Sequence, residues 1–316
     1  MTYVGIDMPD PGAGFALPTM NVSKITRKWL DVDYTPQNPH PDRKLDIYLP
    51  ETGDGPFPTL ICMHGGAFWG GDKRDVQNAA YMEAIPHGFA VVCVEQRLCR
   101  MQPDGGYSPE GQFPNPVFDF KASIRFLRAN AAEYRLNPDK FALCGGSAGG
   151  YHAVIAAASA GSDALYDNSL GFADLSGEVH AVVSWFGVGD LVVQSEFTAA
   201  NPFLELPDGT KMPMANAADI FLGVNAREHT NLAHFGSVPT WITKDMPPTL
   251  LQHGGADALV PAECSRGMYE KIREVCGDDR VTYDEFPEYT HGDMRFNSEE
   301  NIAYMIDWLK KILLQS

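Results

Sequence analysis

The 316-residue chain is poor in positive charge: 24 Lys and Arg stand against 41 Asp and Glu, a formal net charge of −17. Nucleic acid and anionic membrane surfaces reward clusters of Lys and Arg, so this balance argues against both as partners and favours a neutral one. A CxxC pair is also lacking, and the six cysteines (Cys62, Cys93, Cys99, Cys144, Cys264 and Cys276) are scattered. This pattern argues against a disulfide or zinc framework and reads as buried thiols of a reducing compartment. No H-E-x-x-H helix and no phosphate loop ending in Lys-Ser/Thr occurs, so neither a metal nor a cofactor is expected. Nothing approaches the ~20 consecutive apolar residues of a spanning helix. The start "MTYVGIDMPDPGAGFALP" has no basic segment followed by an apolar run, so no signal segment is read there and a cytoplasmic location is expected. Internal repeats and low-complexity runs are absent as well.

What is present is 44% hydrophobic residues, enough for a sizeable core, arranged as short strand-like runs alternating with helical patterns. "RKLDIYLP", "TLICMHG", "FAVVCVEQ", "KFALCGG", "HAVVSWFG", "PPTLLQHGG" and "VTYDEFPEY" read as strands. "VFDFKASIRFLRANAAEYR", "SAGGYHAVIAAASAG", "AECSRGMYEKIREVCG" and "NIAYMIDWLKKILLQS" read as helices. The alternation predicts an α/β fold, a mostly parallel twisted sheet with helices on both faces. Residues 192–245 break the rhythm: too long for a simple connection and too apolar for a linker, they are expected to form a small cap-like excursion over the active face. Residues 1–28 read as an N-terminal extension to a domain spanning 29–316.

The stretch "LCGGSAGGYHA" packs four glycines around Ser147. Each glycine weakens regular structure by about 0.5–1 kcal/mol relative to alanine, so something other than stability selects them. Gly145-Gly146-Ser147-Ala148-Gly149 matches the G-x-S-x-G elbow, in which a serine is exposed on a sharp strand-to-helix turn. A serine hydroxyl is a poor nucleophile near neutral pH and needs a base, which in turn needs an orienting acid, in the chain order Ser, Asp/Glu, His. Asp257 in "HGGADALVP" and His291 in "PEYTHGD" follow the last two strand-like runs and supply that order. Asp190 in "WFGVGDL" is the rival acid, which chain order and loop position disfavour, while Asp293 is too near His291 in sequence to orient it. In "HGGAFWGG", after an early strand, Gly65 and Gly66 can turn their amides toward a developing oxyanion, joined by the amide of Ala148. His64 reads as an anchor of that loop, and His152 and His253 as hydrogen-bonded structural histidines. Phe68 and Trp69 are candidates for lining the acyl pocket or for packing the loop.

With these motifs in hand, the chain resembles the α/β-hydrolases of the hormone-sensitive-lipase-like group, and more closely the small carbohydrate acetyl esterases and feruloyl esterases within it. "RKLDIYLP", "HGGAFWGGDK", "FPNPVFDFKASIRFLRANA", "GGSAGG", "WFGVGDL", "KDMPPTLLQHGGADALVP" and "THGD" fall in the family's order from about Trp29 onward. The resemblance implies Ser147 as nucleophile, His291 as base, Asp257 as its acid, and Gly65, Gly66 and Ala148 as oxyanion-hole backbone. Two departures stand out: Ala67 occupies the place of a third glycine, and "VEQRLCR" replaces a Tyr-Arg-Leu-x-Pro stretch. The expected activity is hydrolysis of short-chain carboxylic esters, with acetylated sugars or oligosaccharides as candidate substrates. An arylformamidase or peptidase on the same fold, and a silent relative used for binding, are the alternatives.

Overall fold

A computed structural model describes residues 3–9, 18–205 and 208–315. Along the chain lie β1 (Gly5–Asp7), β2 (Thr19–Asn21), β3 (Lys28–Asp33), β4 (Lys44–Tyr48), β5 (Phe57–Met63), α1 (Ala79–Met82), β6 (Ala90–Val94) and α2 (Asn115–Ala129). They are followed by β7 (Leu136–Gly146), α3 (Ala148–Ala158), β8 (Ala181–Trp185), α4 (Leu191–Ala200), β9 (Phe203–Glu205), β10 (Lys211–Pro213), α5 (Ala217–Leu222) and α6 (Thr230–Gly236). The last elements are β11 (Thr249–Gly254), α7 (Glu263–Cys276), β12 (Val281–Phe286) and α8 (Glu299–Leu314).

Eight strands form one sheet in the order β12-β11-β8-β7-β5-β6-β4-β3. The six from β12 to β6 are parallel, and β4 and β3 add an antiparallel edge. Period-two alternation explains why these runs are continuously apolar: Ile61, Phe141 and Leu143 enter the core on one face, while Leu60, Cys62, Ala142 and Cys144 enter the core on the other. Cys62 lies in register with Cys93 on one side and Cys144 on the other, and all three are free, buried thiols. No helix among the described residues is long and apolar enough to cross a membrane.

The chain leaves β5 toward β6 and then returns past β5 to β7, so the strand order reverses between β5 and β7. In open α/β sheets the crevice at such a reversal, outside the carboxyl ends of the strands, is where ligands bind. Here "HGG" follows β5 and Ser147 follows β7.

The excursion differs from the sequence expectation. It folds as α4, the β9–β10 hairpin, α5 and α6, and it packs behind the loop that follows β5. Phe221 stacks on Phe68 at 4.1 Å between ring centroids, and the Gly236 carbonyl accepts from Tyr151 Oη at 2.6 Å. None of its described residues lines the cleft that holds Ser147. The apolar character that suggested a cap is spent on this packing.

Candidate active site

The elbow is built by close approach. A methyl group on Gly145 would collide with the backbone of Gly149, one on Gly149 with the carbonyls of Met63 and His64, and one on Gly150 with Ser184 Oγ. Only glycines let β7, α3 and the ends of β5 and β8 pass this close. Ser147 pays for the turn with φ 56°, ψ −124°, a backbone conformation rare for an L residue. Its side chain faces the cleft at the first turn of α3.

Three residues named from sequence meet there. Ser147 Oγ stands 3.0 Å from His291 Nε2, and His291 Nδ1 stands 2.7 Å from Asp257 Oδ2. The opposite oxygen, Asp257 Oδ1, accepts the N–H groups of Leu259 at 2.8 Å and Val260 at 2.9 Å, which fixes the carboxylate plane. Burial works against the charge on Asp257, but the imidazoles of His291 and His253 outweigh it and hold the carboxyl well below its usual range. Phe186 packs edge-on against the His291 ring at 4.9 Å. Asp190, the rival acid, lies elsewhere: it caps α4, accepting from Val192 and Val193.

The "HGG" loop is locked from behind. His64 Nδ1–H donates to the Gly65 carbonyl at 2.6 Å, and Nε2 lies 3.0 Å from Glu95 Oε1. Burial opposes a charge on His64, but Glu95, the Gly65 carbonyl and Asp75 prevail and raise its pKa to about 9. The imidazolium pulls the Gly65 carbonyl toward itself. Because a peptide's C=O and N–H point in opposite directions, the Gly66 N–H is turned the other way. Among the described residues no acceptor takes the N–H of Gly66 or of Ala148, which is the first residue of α3. Ala67 and Phe68 both adopt positive φ, 54° and 73°, so Ala67 occupies a left-handed position that a glycine would adopt without strain.

Trp69 lines the cleft, but Phe68 does not. Phe68 is 2% exposed and sits in an aromatic cluster with Phe221, Tyr151 and His152, because its left-handed backbone turns the side chain into the core. Its assignment to the acyl pocket is therefore corrected. His152, expected to be hydrogen-bonded, instead lies fully buried in that cluster with neither ring nitrogen partnered among the described residues, and burial together with the nearby His64 charge lowers its pKa to about 3. His253 is hydrogen-bonded as expected, to Ser265 Oγ at 2.7 Å and the Val260 carbonyl at 3.0 Å. Sequence reasoning missed its third contact, with Asp257 Oδ2 at 3.2 Å.

The cleft measures about 1030 Å³. Gly66, Ala67, Trp69, His291, Asp293 and Asn297 line it, and Tyr81, Trp185, Phe186 and Phe296 give it aromatic surface. Thr19, from the segment before Trp29, also lines it. That segment is tied to the cleft by Met20 N–H to Arg74 O at 2.7 Å and Val76 N–H to Pro18 O at 3.0 Å. No motif in the sequence marked this contribution.

A mostly parallel sheet with a serine elbow after β7, an acid after β11 and a histidine after β12 defines an α/β-hydrolase. The chain belongs to the BD-FAE family, whose profile matches residues 45–272. It is 28% identical over 250 residues to the probable carboxylic ester hydrolase LipM of Mycobacterium tuberculosis, covering 78% of this chain and 52% of that protein. Esterase LipQ of the same organism is 28% identical, covering 83% of this chain and 56% of its own length. The chain thus spans about half the length of these curated relatives. Among solved structures, a bifunctional GH43-CE protein of Bacteroides eggerthii superposes with a TM-score of 0.73 at 27% identity, over 91% of this chain and 35% of that one. A truncated carbohydrate esterase from gut microbiota shares the fold, with a TM-score of 0.73 at 24% identity, over 92% of this chain and 97% of that one.

Proposed function

We propose that the chain is a carboxylic ester hydrolase working through an acyl-enzyme, with acetyl esters of neutral, polyhydroxylated alcohols such as sugars as its substrates. The observation that carries the reading is the Ser147–His291–Asp257 hydrogen-bonded series together with the N–H groups of Gly66 and Ala148, which no acceptor takes among the described residues. Ser147 Oγ attacks the ester carbon while His291 Nε2 takes its proton, and Asp257 stabilises the imidazolium that forms. The carbonyl oxygen becomes an oxyanion facing Gly66 and Ala148, where each donor is worth about 3 kcal/mol and the α3 N-terminus adds a favourable dipole. His291 returns the proton to the departing alcohol. Water, deprotonated by His291, then attacks the acyl carbon, releasing the acid and restoring Ser147.

The cleft supports the substrate class. At about 1030 Å³ it far exceeds an acetyl group, so most of it serves the alcohol half. Two of its charged side chains are ion-paired, Arg74 with Asp31 and Asp46 and Asp293 with Arg295, while Asp72 and Asp75 accept backbone N–H groups of the same turn. A neutral ligand meets hydroxyl, amide and indole groups there. The likeness to the bifunctional GH43-CE protein of Bacteroides eggerthii supports the same reading. The test is acetate release from acetylated xylo-oligosaccharides beside a series of p-nitrophenyl esters, with N-formylkynurenine and peptides as competitors. Efficiency falling beyond about four to six acyl carbons is expected as the acyl pocket runs out. A kcat/KM climbing from the C2 to the C10 ester, or turnover of the formamide alone, overturns the proposal.

A further inference from the structure

Gln77 lies in the cleft in the short helical turn Val76–Asn78, and its carboxamide is uncommitted. Among the described residues it has no hydrogen-bond or ion-pair partner, whereas Arg74, Asp75 and Asp293, which line the same cleft, are all engaged. Its position is narrowly defined. A methyl group built on Gly65 would stand 2.5 Å from Gln77 Oε1 and 3.3 Å from Ser147 Cβ, so the amide lies beside both the oxyanion loop and the nucleophile. The turn that carries it is pinned on both sides. Pro18–Met20 bonds to Arg74 and Val76, and Asn78 Nδ2 donates to the Lys73 carbonyl at 3.1 Å.

We propose that Gln77 is a specificity-determining residue that hydrogen-bonds a hydroxyl on the carbon next to the one carrying the ester. The inference rests on the acyl-transfer reading above and adds the partner of this amide. The carbonyl oxygen of the ester is served by Gly66 and Ala148, and an acetyl methyl offers nothing polar. Only the alcohol half can therefore satisfy Gln77. A carboxamide both donates and accepts, which matches a hydroxyl and gives no preference to an anion. An alkyl alcohol seated there would take the amide away from water without a replacement bond.

The test compares 2-hydroxyethyl acetate with propyl acetate, near-isosteric esters that differ by a hydroxyl for a methyl. The protein is expected to favour the hydroxy ester by about 5–10-fold in kcat/KM, the worth of one net hydrogen bond. Gln77→Met, which keeps the volume and removes the polar group, brings that ratio close to one, mainly through KM. Gln77→Asn, one methylene too short to reach, lowers the ratio in the same way and decides the matter if the Met variant misfolds. Equal rates on the two esters with the native sequence, or variants that keep the native ratio, overturn the proposal while leaving the acyl-transfer reading intact. If neither ester is hydrolysed, both fall.

Discussion

His253 and His291 hold the same carboxylate oxygen: Asp257 Oδ2 lies 2.7 Å from His291 Nδ1 and 3.2 Å from His253 Nε2. His253 is fully buried and its Nδ1 is occupied by Ser265 Oγ, so its ring is fixed. Under the proposed mechanism it is a positioning residue that holds the Asp257 carboxylate against His291.

Asp257→Asn is expected to lower kcat by about 10³–10⁴-fold, because the imidazole loses its orienting charge and the correct tautomer. Asp190→Asn keeps the α4 cap, because the amide oxygen accepts the same two N–H groups, so stability and kcat are both expected to be retained. Steady-state kinetics beside urea unfolding separates the two. A larger kinetic loss at Asp190 would mean the acid has been misassigned.

Ser147→Ala is expected to abolish turnover and covalent labelling by a fluorophosphonate, with the fold intact. Ser147→Gly also removes the strain of φ 56° and so raises stability by about 1–2 kcal/mol over the alanine variant. Thermal melts of the pair check this. Equal melting temperatures would show that the elbow stores no strain.

The His64–Glu95 lock gives the protein an alkaline limit. The pKa of His64 is raised in the folded state to about 9, above an unfolded value of about 6.5. Its contribution to stability is therefore complete below about pH 6.5 and is lost as pH rises through about 9. The urea midpoint and kcat/KM are expected to fall together over that window, since the same proton holds the Gly65 carbonyl. Glu95→Gln shifts both falls toward neutral pH. A stability profile flat from pH 7 to 10 would refute the lock.

Ala67→Gly is expected to stabilise the protein by up to about 1 kcal/mol, because φ 54° is strained for alanine and free for glycine. Differential scanning calorimetry measures it. A drop in melting temperature would mean that the Ala67 methyl contributes packing worth more than the strain.

The parts of the fold and site legible in the sequence were those with a local signature. β5, β7 and β8 announce themselves as apolar runs because both sheet faces are buried, and the elbow because only glycine tolerates such close passage at Gly145 and Gly149. Asp257 and His291 followed from chain order. What stayed hidden depends on long-range placement. Thr19 lines the cleft only because Pro18–Met20 bonds to the turn at 74–76. Phe68 and Trp69 are adjacent and alike in character, yet one is core and the other cleft wall, a choice made by two left-handed residues that composition does not reveal. Residues 192–245 read as a cap because apolar content says that a segment packs, not where.

The Phe68–Phe221 stack makes the loop that follows β5 depend on a segment none of whose described residues lines the cleft. Phe68 rests on α5, which is joined to the body through contacts such as Phe113 N–H to the Phe221 carbonyl at 2.8 Å. Proteins open in cooperative units of unequal stability, and a peripheral layer opens before the central sheet. On heating, detachment of that layer removes the support under Phe68 while the sheet remains native. Heat inactivation is therefore expected to precede global melting and to reverse on cooling while the central sheet stays folded, which residual activity measured beside the melting curve checks.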